Sequence, residues 1–468
     1  MRDMPSKKTN VLVLNSDSFR WDNLTVHGGA AVHTPNLDAL ARCSVVFENA
    51  YAGSYPTLPH RTDAFLGTWA FPNVGWGPLD RTVPTLAEVI SAAGADTFLE
   101  LDCPHMVKQG HYYERGFSAW RWERGHENDN LAPKSLVRKM PVPGDPRKYR
   151  QPVWPVQQHQ ANMLFRGRQR DEDYLMAVVA RNAVGDLRHL KGNQFFMWVD
   201  MFDPHEPFDP PRHYFDRYYS GFDGVLYTVP VYGRCDCYSK EELQAIRAAY
   251  LAESTMVDHW LGYVVSAVKD LGLDETTVIV FTSDHGLCYG DHGFTGKNFA
   301  PLYGNVARIP LLVSTPETRA ADKSRKVKQL VQPVDLMPTI LDTMGIKPPK
   351  EWKGEGVSLA PFLVGDSIKT RDAAFSGQYA ASSPNPNTPA GHLRVSTQES
   401  ALIFPPDLGG TREQPMLFNL KEDPSETNDV LAKNPGVAQK LYAKYAEFFR
   451  TYSRAGDDVP IPAPAELV

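Results

Sequence analysis

Residues 278–286 read VIVFTSDHG: four apolar residues, two small polar ones, then an acid, a histidine and a glycine. A short, wholly apolar run that stops at polar turn residues is the signature of a strand buried on both faces, and such strands belong to sheets covered by helices on either side. Two more stretches have the same form. VLVL (11–14) runs into Asn-Ser-Asp17, and FFMWV (195–199) runs through DMF into Asp203-Pro204-His205. Helical patterns lie between them. Thr85 to Ala93 follows Pro84, carries Thr85 and Glu88 at capping-box spacing and stops at Gly94. Ser239 and Glu242 form a second box, after which Leu243, Ile246, Tyr250, Val257, Leu261, Val264 and Val268 recur close to helical spacing. Strands that alternate with helices predict an α/β fold with a sheet flanked by helices.

The chain around these runs is 468 residues long, more than one hydrophobic core usually organises. The expected organisation is a large domain over 1–365 and a smaller α+β domain over 366–468. The second has short irregular apolar runs, a helix from about Gly436 to Tyr452 and a proline-rich tail, VPIPAPAELV. From about 120 to 170 the sequence is rich in Arg, Lys, Pro and Gln without clear periodicity, which reads as an excursion from the sheet. As a candidate assembly arm it leaves a homo-oligomer open. No repeat is visible. A formal charge of −6 gives no reason to expect a nucleic acid or an anionic membrane as partner, since both favour a strongly basic patch. Five scattered cysteines argue against a disulfide framework and for a reducing compartment, and Cys235-x-Cys237 reads as two free thiols. The first apolar run is too short for a signal peptide and no membrane-length run occurs, so the expected location is cytoplasmic.

In open α/β sheets, functional side chains gather at the carboxyl ends of strands. A lone acid there is ordinarily a cap or turn former. Asp17, the Asp203–His205 pair and Asp284-His285 at three separate strand ends shift the balance towards a metal site with a nearby acid or base. The fourth piece is Thr57-Leu58-Pro59-His60-Arg61, closed by Gly67. Pro59 suits a first helical position, so Thr57 is expected just ahead of a helix whose free N–H groups, with Arg61, favour an anionic ester. Thr57 serves equally well as a simple cap residue.

These pieces, in this order, resemble the sulfatase branch of the alkaline-phosphatase superfamily. FENAYAGSYPTLPHRTDAFLG (47–67) is similar to the family signature, in which Cys or Ser is followed by x-Pro-x-Arg and then by a Gly six residues on; Thr57, Pro59, Arg61 and Gly67 match. TSDHGLCYGDHGFTGKNF with ARIPLLV, VDLMPTILDTMGI and LFNLKEDPSETNDV resemble later landmarks, so the likeness spans nearly the whole chain. Ser54-Tyr55-Pro56 offers a rival register, but Leu58 then falls where the anion-binding Arg belongs. The resemblance implies an alkaline-phosphatase-like mixed sheet. It implies one divalent cation held by Asp17, Asp284 and His285, with Ser18 as a weaker neutral ligand, although His285 could instead stand behind the ligands. It also places Thr57 beside the cation, His205 at the leaving group and Lys297 on a non-bridging oxygen. Oxygen ligands suit Ca²⁺, Mn²⁺ or Mg²⁺, and His285 keeps Zn²⁺ open.

The sequence departs from the family at instructive places. Threonine cannot give the formylglycine aldehyde of a sulfatase, because its β-methyl would leave a ketone. Threonine nucleophiles in phosphodiesterase and phosphonoacetate-hydrolase relatives point towards phosphoryl transfer. The family's Lys-x-His falls at Leu101–His105, where the lysine is lost and His105 matches only with a one-residue shift. Asn73 is the candidate after the Gly67 turn. The expected substrate is a small anionic ester of phosphate or phosphonate. Sulfate-ester hydrolysis without formylglycine is the alternative, and an impaired binding protein a third.

Overall fold

A computed structural model describes residues 8–29, 31–378, 392–405 and 414–454; the proline-rich tail lies outside them. Eight strands form the main sheet: β1 (Asn10–Ser16), β2 (Val45–Ala50), β3 (Asp96–Leu101), β4 (Ala119–Trp122), β5 (Phe195–Met201), β6 (Thr277–Thr282), β7 (Leu311–Ser314) and β8 (Arg325–Val331). Their order across the sheet is β8-β2-β7-β6-β1-β5-β3-β4. All neighbours run parallel except β7, which is antiparallel to both β2 and β6. The sheet is therefore mixed, as expected.

Side chains alternate across a strand, so each apolar run feeds two cores. Val11 and Val13 join Phe196, Trp198, Val278 and Val280 on one face. Leu12 and Leu14 join Met197, Val199, Ile279 and Phe281 on the other, under the long helix Lys240–Asp270. Both expected capping boxes form with both arms present: Thr85 caps Leu86–Ala92, Ser239 caps the long helix, and Gly94 takes a left-handed turn at φ 87°. The segment after about 120 differs from expectation at both ends. It opens on the sheet itself, as edge strand β4, and it contains a helix, Trp154–Arg166.

A second, antiparallel sheet comes next, made of Ala374–Gly377, Leu393–Ser396, Ser400–Phe404 and Met416–Asn419. The helix Pro435–Tyr452 packs against it, with Phe448 between Phe375 and Phe71. The fully buried Arg394 anchors this small α+β domain. It pairs with Glu426 and donates to the Leu302 carbonyl, while Glu426 accepts the Gly304 N–H at 2.6 Å. All five cysteines are free, and among the described residues no helix is long and apolar enough to cross a membrane.

Candidate active site

The register of the central strands assembles the first cluster. Asn15 of β1 pairs with Thr282 of β6, so Asp17 and Asp284, each two residues further on, leave the sheet at the same level. Asp17, Asp284 and His285 each place one ligand atom within 4.8 Å of the others, all buried. His285 Nδ1 donates to the Gly286 carbonyl at 2.9 Å, which leaves a bare Nε2 lone pair 3.5 Å from Asp284 Oδ2. That Nε2 is buried and has no partner. A lone pair fixed in this way by a bond on the opposite ring nitrogen is the posture of a metal-ligating histidine.

The electrostatics agree. Burial, with the Asp284 charge, pushes the Asp17 carboxyl well above the ordinary range. Against its own burial, Asp284 is held well below that range by His285 and Arg61. Burial lowers His285 to about 4, keeping it neutral and able to bind a cation. Two buried carboxylates beside a neutral imidazole fit a divalent ion. Ser18 belongs to the same group. It takes a left-handed φ of 60°, its N–H donates to Asp284 Oδ1 at 3.0 Å, and its hydroxyl donates to Asp17 Oδ1 at 2.8 Å while accepting from Lys297 Nζ at 3.2 Å. Such a φ costs a non-glycine residue about 1–3 kcal/mol and persists only where its surroundings enforce it.

Thr57 is the first residue of the helix Thr57–Leu66, with Pro56 as the cap and Gly67 at φ 63° ending it. The helix therefore begins two residues before Pro59. The proline is tolerated because the first four N–H groups of a helix have no intrahelical partner. Arg61, one turn on, shares Thr57's face of the helix. Its guanidinium is fully buried, reaches Asp284 Oδ2 through Nη1, and lies 3.4 Å from Asp17 through Nη2. It also grips Asp200 through Nε and Nη2, at 3.1 and 2.8 Å. Ser54, the rival in the signature, is committed elsewhere. Its hydroxyl donates to Asp63 at 2.6 Å and accepts the Ala70 and Phe71 N–H groups.

His205 sits at the head of a loop after β5, its ring stacked on Phe202 at 4.1 Å. Nδ1 donates to the Glu206 carbonyl at 2.6 Å, so Nε2 is the nitrogen left to act. Burial and Lys297 hold this imidazole well below its usual range. His105 meets Phe202 edge-on, 5.9 Å between ring centres, and packs on Trp76. Asn73 is not brought to this group. Its amide donates to the Tyr452 carbonyl at 2.8 Å and its oxygen accepts the Arg454 N–H, so it fastens the C-terminal helix. His292 stacks on Tyr303 at 3.7 Å, a packing role.

Several residues near the cluster escaped the sequence. Asp200, an acid inside the apolar run of β5, was a legible signal, because a buried charge needs a partner. Arg150 was not legible. It comes from the excursion to pair with Glu127 and, at 3.0 Å, with Glu206, and it reaches the Tyr232 hydroxyl at 2.9 Å. Glu206 also faces Lys297 at 3.8 Å.

Residues 9–346 match the Sulfatase family model, and residues 290–449 match that of the N-sulphoglucosamine sulphohydrolase C-terminal region. An arylsulfatase of Clostridium perfringens (strain 13 / Type A) is 26% identical over 463 residues, covering 91% of this chain and 90% of that one. The crystal structure of a phosphonate monoester hydrolase of Agrobacterium radiobacter superposes with a TM-score of 0.71 at 25% identity, covering 95% of this chain and 96% of that one. A phosphonate monoester hydrolase from Silicibacter pomeroyi shares the fold, with a TM-score of 0.69 at 23% identity and 95% coverage of each chain.

Proposed function

Because the chain belongs to the sulfatase family and is an ester hydrolase, we propose that its substrates are phosphate or phosphonate esters and that Thr57 is the nucleophile. The observation that carries this reading is the placement of Thr57 one helical turn before Arg61, whose guanidinium reaches Asp17 and Asp284, while Ser54 is locked to Asp63. Asp17, Asp284 and His285, with Ser18 beside them, would hold a divalent cation, which would supply positive charge to lower the pKa of a nearby hydroxyl and offset charge on ester oxygens. Ca²⁺, Mn²⁺ and Mg²⁺ suit the oxygen donors, and Zn²⁺ suits the histidine.

The chain's own residues do the rest. With its hydroxyl proton released to solvent, the Thr57 oxygen attacks phosphorus, forming a phospho-threonine as the bond to the leaving oxygen breaks. Arg61 and Lys297 offset the charge that spreads over the non-bridging oxygens. His205 donates from Nε2 to the departing oxygen, then takes a proton from the water that hydrolyses the phospho-threonine. In the free protein this imidazole is neutral, so it acquires its proton together with the anionic ester, whose charge opposes burial and Lys297. The test is turnover of aryl phosphodiesters, phosphonate monoesters and phosphomonoesters with each of the four metals. If no substrate is hydrolysed faster by wild type than by Thr57→Ala, the proposal is wrong.

Likeness to an arylsulfatase favours sulfate esters as the second reading. A sulfated threonine has no neighbouring hydroxyl with which to expel sulfate, so attack would stall. Mass spectrometry separates the two: a lasting sulfate-mass adduct on the Thr57 peptide agrees with the first reading, whereas rapid steady-state sulfate release establishes the second.

A further inference from the structure

A separate group of side chains lies at the carboxyl ends of three neighbouring strands. Asp102 follows β3, His126 follows β4, and Asp203 follows β5. One donor atom from each falls within 4.8 Å of the others, and all three residues are buried. His126 Nε2 stands 3.2 Å from Asp102 Oδ2 and 3.5 Å from Asp203 Oδ2. The shorter contact is a hydrogen bond, and the two carboxylates raise the imidazole above its usual range, holding a proton that a bound cation would displace. Both spacings are close to the edges of a tetrahedron around an ion with bonds of about 2.0–2.2 Å, which are about 3.3–3.6 Å long.

Oε2 of Glu253, a residue only 2% exposed, is buried without a hydrogen-bond partner, and Glu253 lies near enough to Asp203 to feel its charge. Burial, together with the charges of Asp203 and Asp209, pushes the Glu253 carboxyl well above its usual range. The contrast with the neighbouring Glu127–His205–Glu206 group is informative. There Arg150 and Lys297 already face the carboxylates, whereas among the described residues no lysine or arginine pairs with Asp102 or Asp203.

We propose that Asp102, His126 and Asp203 bind a second divalent ion, of the zinc class, whose role is structural. One nitrogen and two carboxylates are a common zinc donor set. The consequence is architectural. His126 stands at the start of the excursion, next to Glu127, which holds Arg150. An ion here pins that segment to the sheet edge and fixes the wall that faces His205. Phe202 touches both places, with the His126 ring 5.0 Å from it and the His205 ring 4.1 Å.

The test is made on the full chain, stripped with chelator, reloaded with Zn²⁺ or Co²⁺, and assayed for metal content. Asp284→Asn impairs the first cluster and should still retain one equivalent of Zn²⁺ that raises its melting temperature. Asp284→Asn with His126→Ala should lose that equivalent and the stabilisation. Co²⁺ should give a tetrahedral visible spectrum that His126→Ala abolishes. On removal of metal, limited proteolysis between residues 123 and 150 should accelerate. Should His126→Ala fail to fold, Asp102→Asn keeps an acceptor for His126 while losing the charge, and it must lose the ion. Equal Zn²⁺ stoichiometry with and without His126 or the Asp102 charge overturns the proposal. This outcome is independent of whether Thr57 is the nucleophile.

Discussion

Asp200 offers the sharpest test of how the candidate site is held together. It accepts from Arg61 Nε and Nη2, from Trp198 Nε1 at 2.8 Å and from Asn15 Nδ2 at 3.2 Å, and both it and Arg61 are wholly buried. Asp200→Asn keeps the shape and one acceptor but removes the charge, loosening a two-pronged pair. Charged hydrogen bonds contribute about 1.5–3 kcal/mol each, so a loss of about 3 kcal/mol is expected. For a chain of 468 residues 1 kcal/mol shifts the melting temperature by about 1 °C, so it falls by roughly 3 °C. Arg61→Met should cost more, because it leaves Asp17, Asp200 and Asp284 crowded together with no guanidinium among them. The sign of the second substitution then inverts: Asp200→Asn destabilises wild type but stabilises Arg61→Met. Melting temperatures of the four proteins, recorded at one scan rate with chelator present, decide the matter, since unfolding of a chain this size is read as an apparent value. Additive shifts would refute the idea that one shared charge balance holds these residues.

Three more outcomes rest on particular contacts. His205→Ala should lose about 10²-fold more rate on an alkyl ester than on a nitrophenyl ester of the same acid, because only a poor leaving group needs the proton; equal losses would assign His205 to positioning. Burial, with Arg61, lowers His60 from 6.5 to about 3, below its unfolded value, so the stability gained by keeping it neutral is whole above pH 6.5 and declines as the pH falls towards 3. At about 1.4 kcal/mol per pH unit this amounts to about 2 kcal/mol by pH 5, and a His60→Met protein whose melting temperature tracks wild type from pH 7 to 5 contradicts it. Glu426→Ala leaves Arg394 buried without its carboxylate and should cost about 3–5 kcal/mol, seen as early melting of the C-terminal domain with the metal content of the catalytic cluster unchanged; a loss under about 1 kcal/mol would mean that water reaches Arg394.

Much of this site is readable in the sequence because it lies where one-dimensional patterns end. VLVL, FFMWV and VIVF are wholly apolar, and the polar residues just after them mark the carboxyl edge of the sheet. Asp17, His205, Asp284 and His285 stand there. The capping boxes at Thr85 and Ser239 are equally local, and both form. The unreadable part depends on contacts far apart in the chain. Arg150 meets Glu206 across 56 positions, from a segment with no period to locate it. The helix Trp154–Arg166 has no clean apolar period because its buried face mixes Gln158, His159 and Asn162 with Val156, Ala161 and Met163. The bonds of Asn73 to Tyr452 and Arg454 could not be read from the sequence because those partners arrive from the far end of the chain. The start of the helix at Thr57 was displaced by two residues because Pro59 fits anywhere in a first turn.

The attachment of the excursion to an outer strand bears on how this enzyme could change over generations. Because β4 closes the edge of the sheet, the segment beyond it can lengthen, shorten or be replaced without breaking a ladder between two other strands. Doubling the length of such a segment adds only about 0.6 kcal/mol of closure entropy. Asp17, His205 and Asp284, which follow β1, β5 and β6, sit further in, where an insertion would shift strand register and turn buried faces outward. Inheritance can thus rewrite this edge while the inner strands stay fixed, and, on the function proposed above, grafting residues 123–170 between related chains should exchange substrate preference more readily than any change made along the central strands.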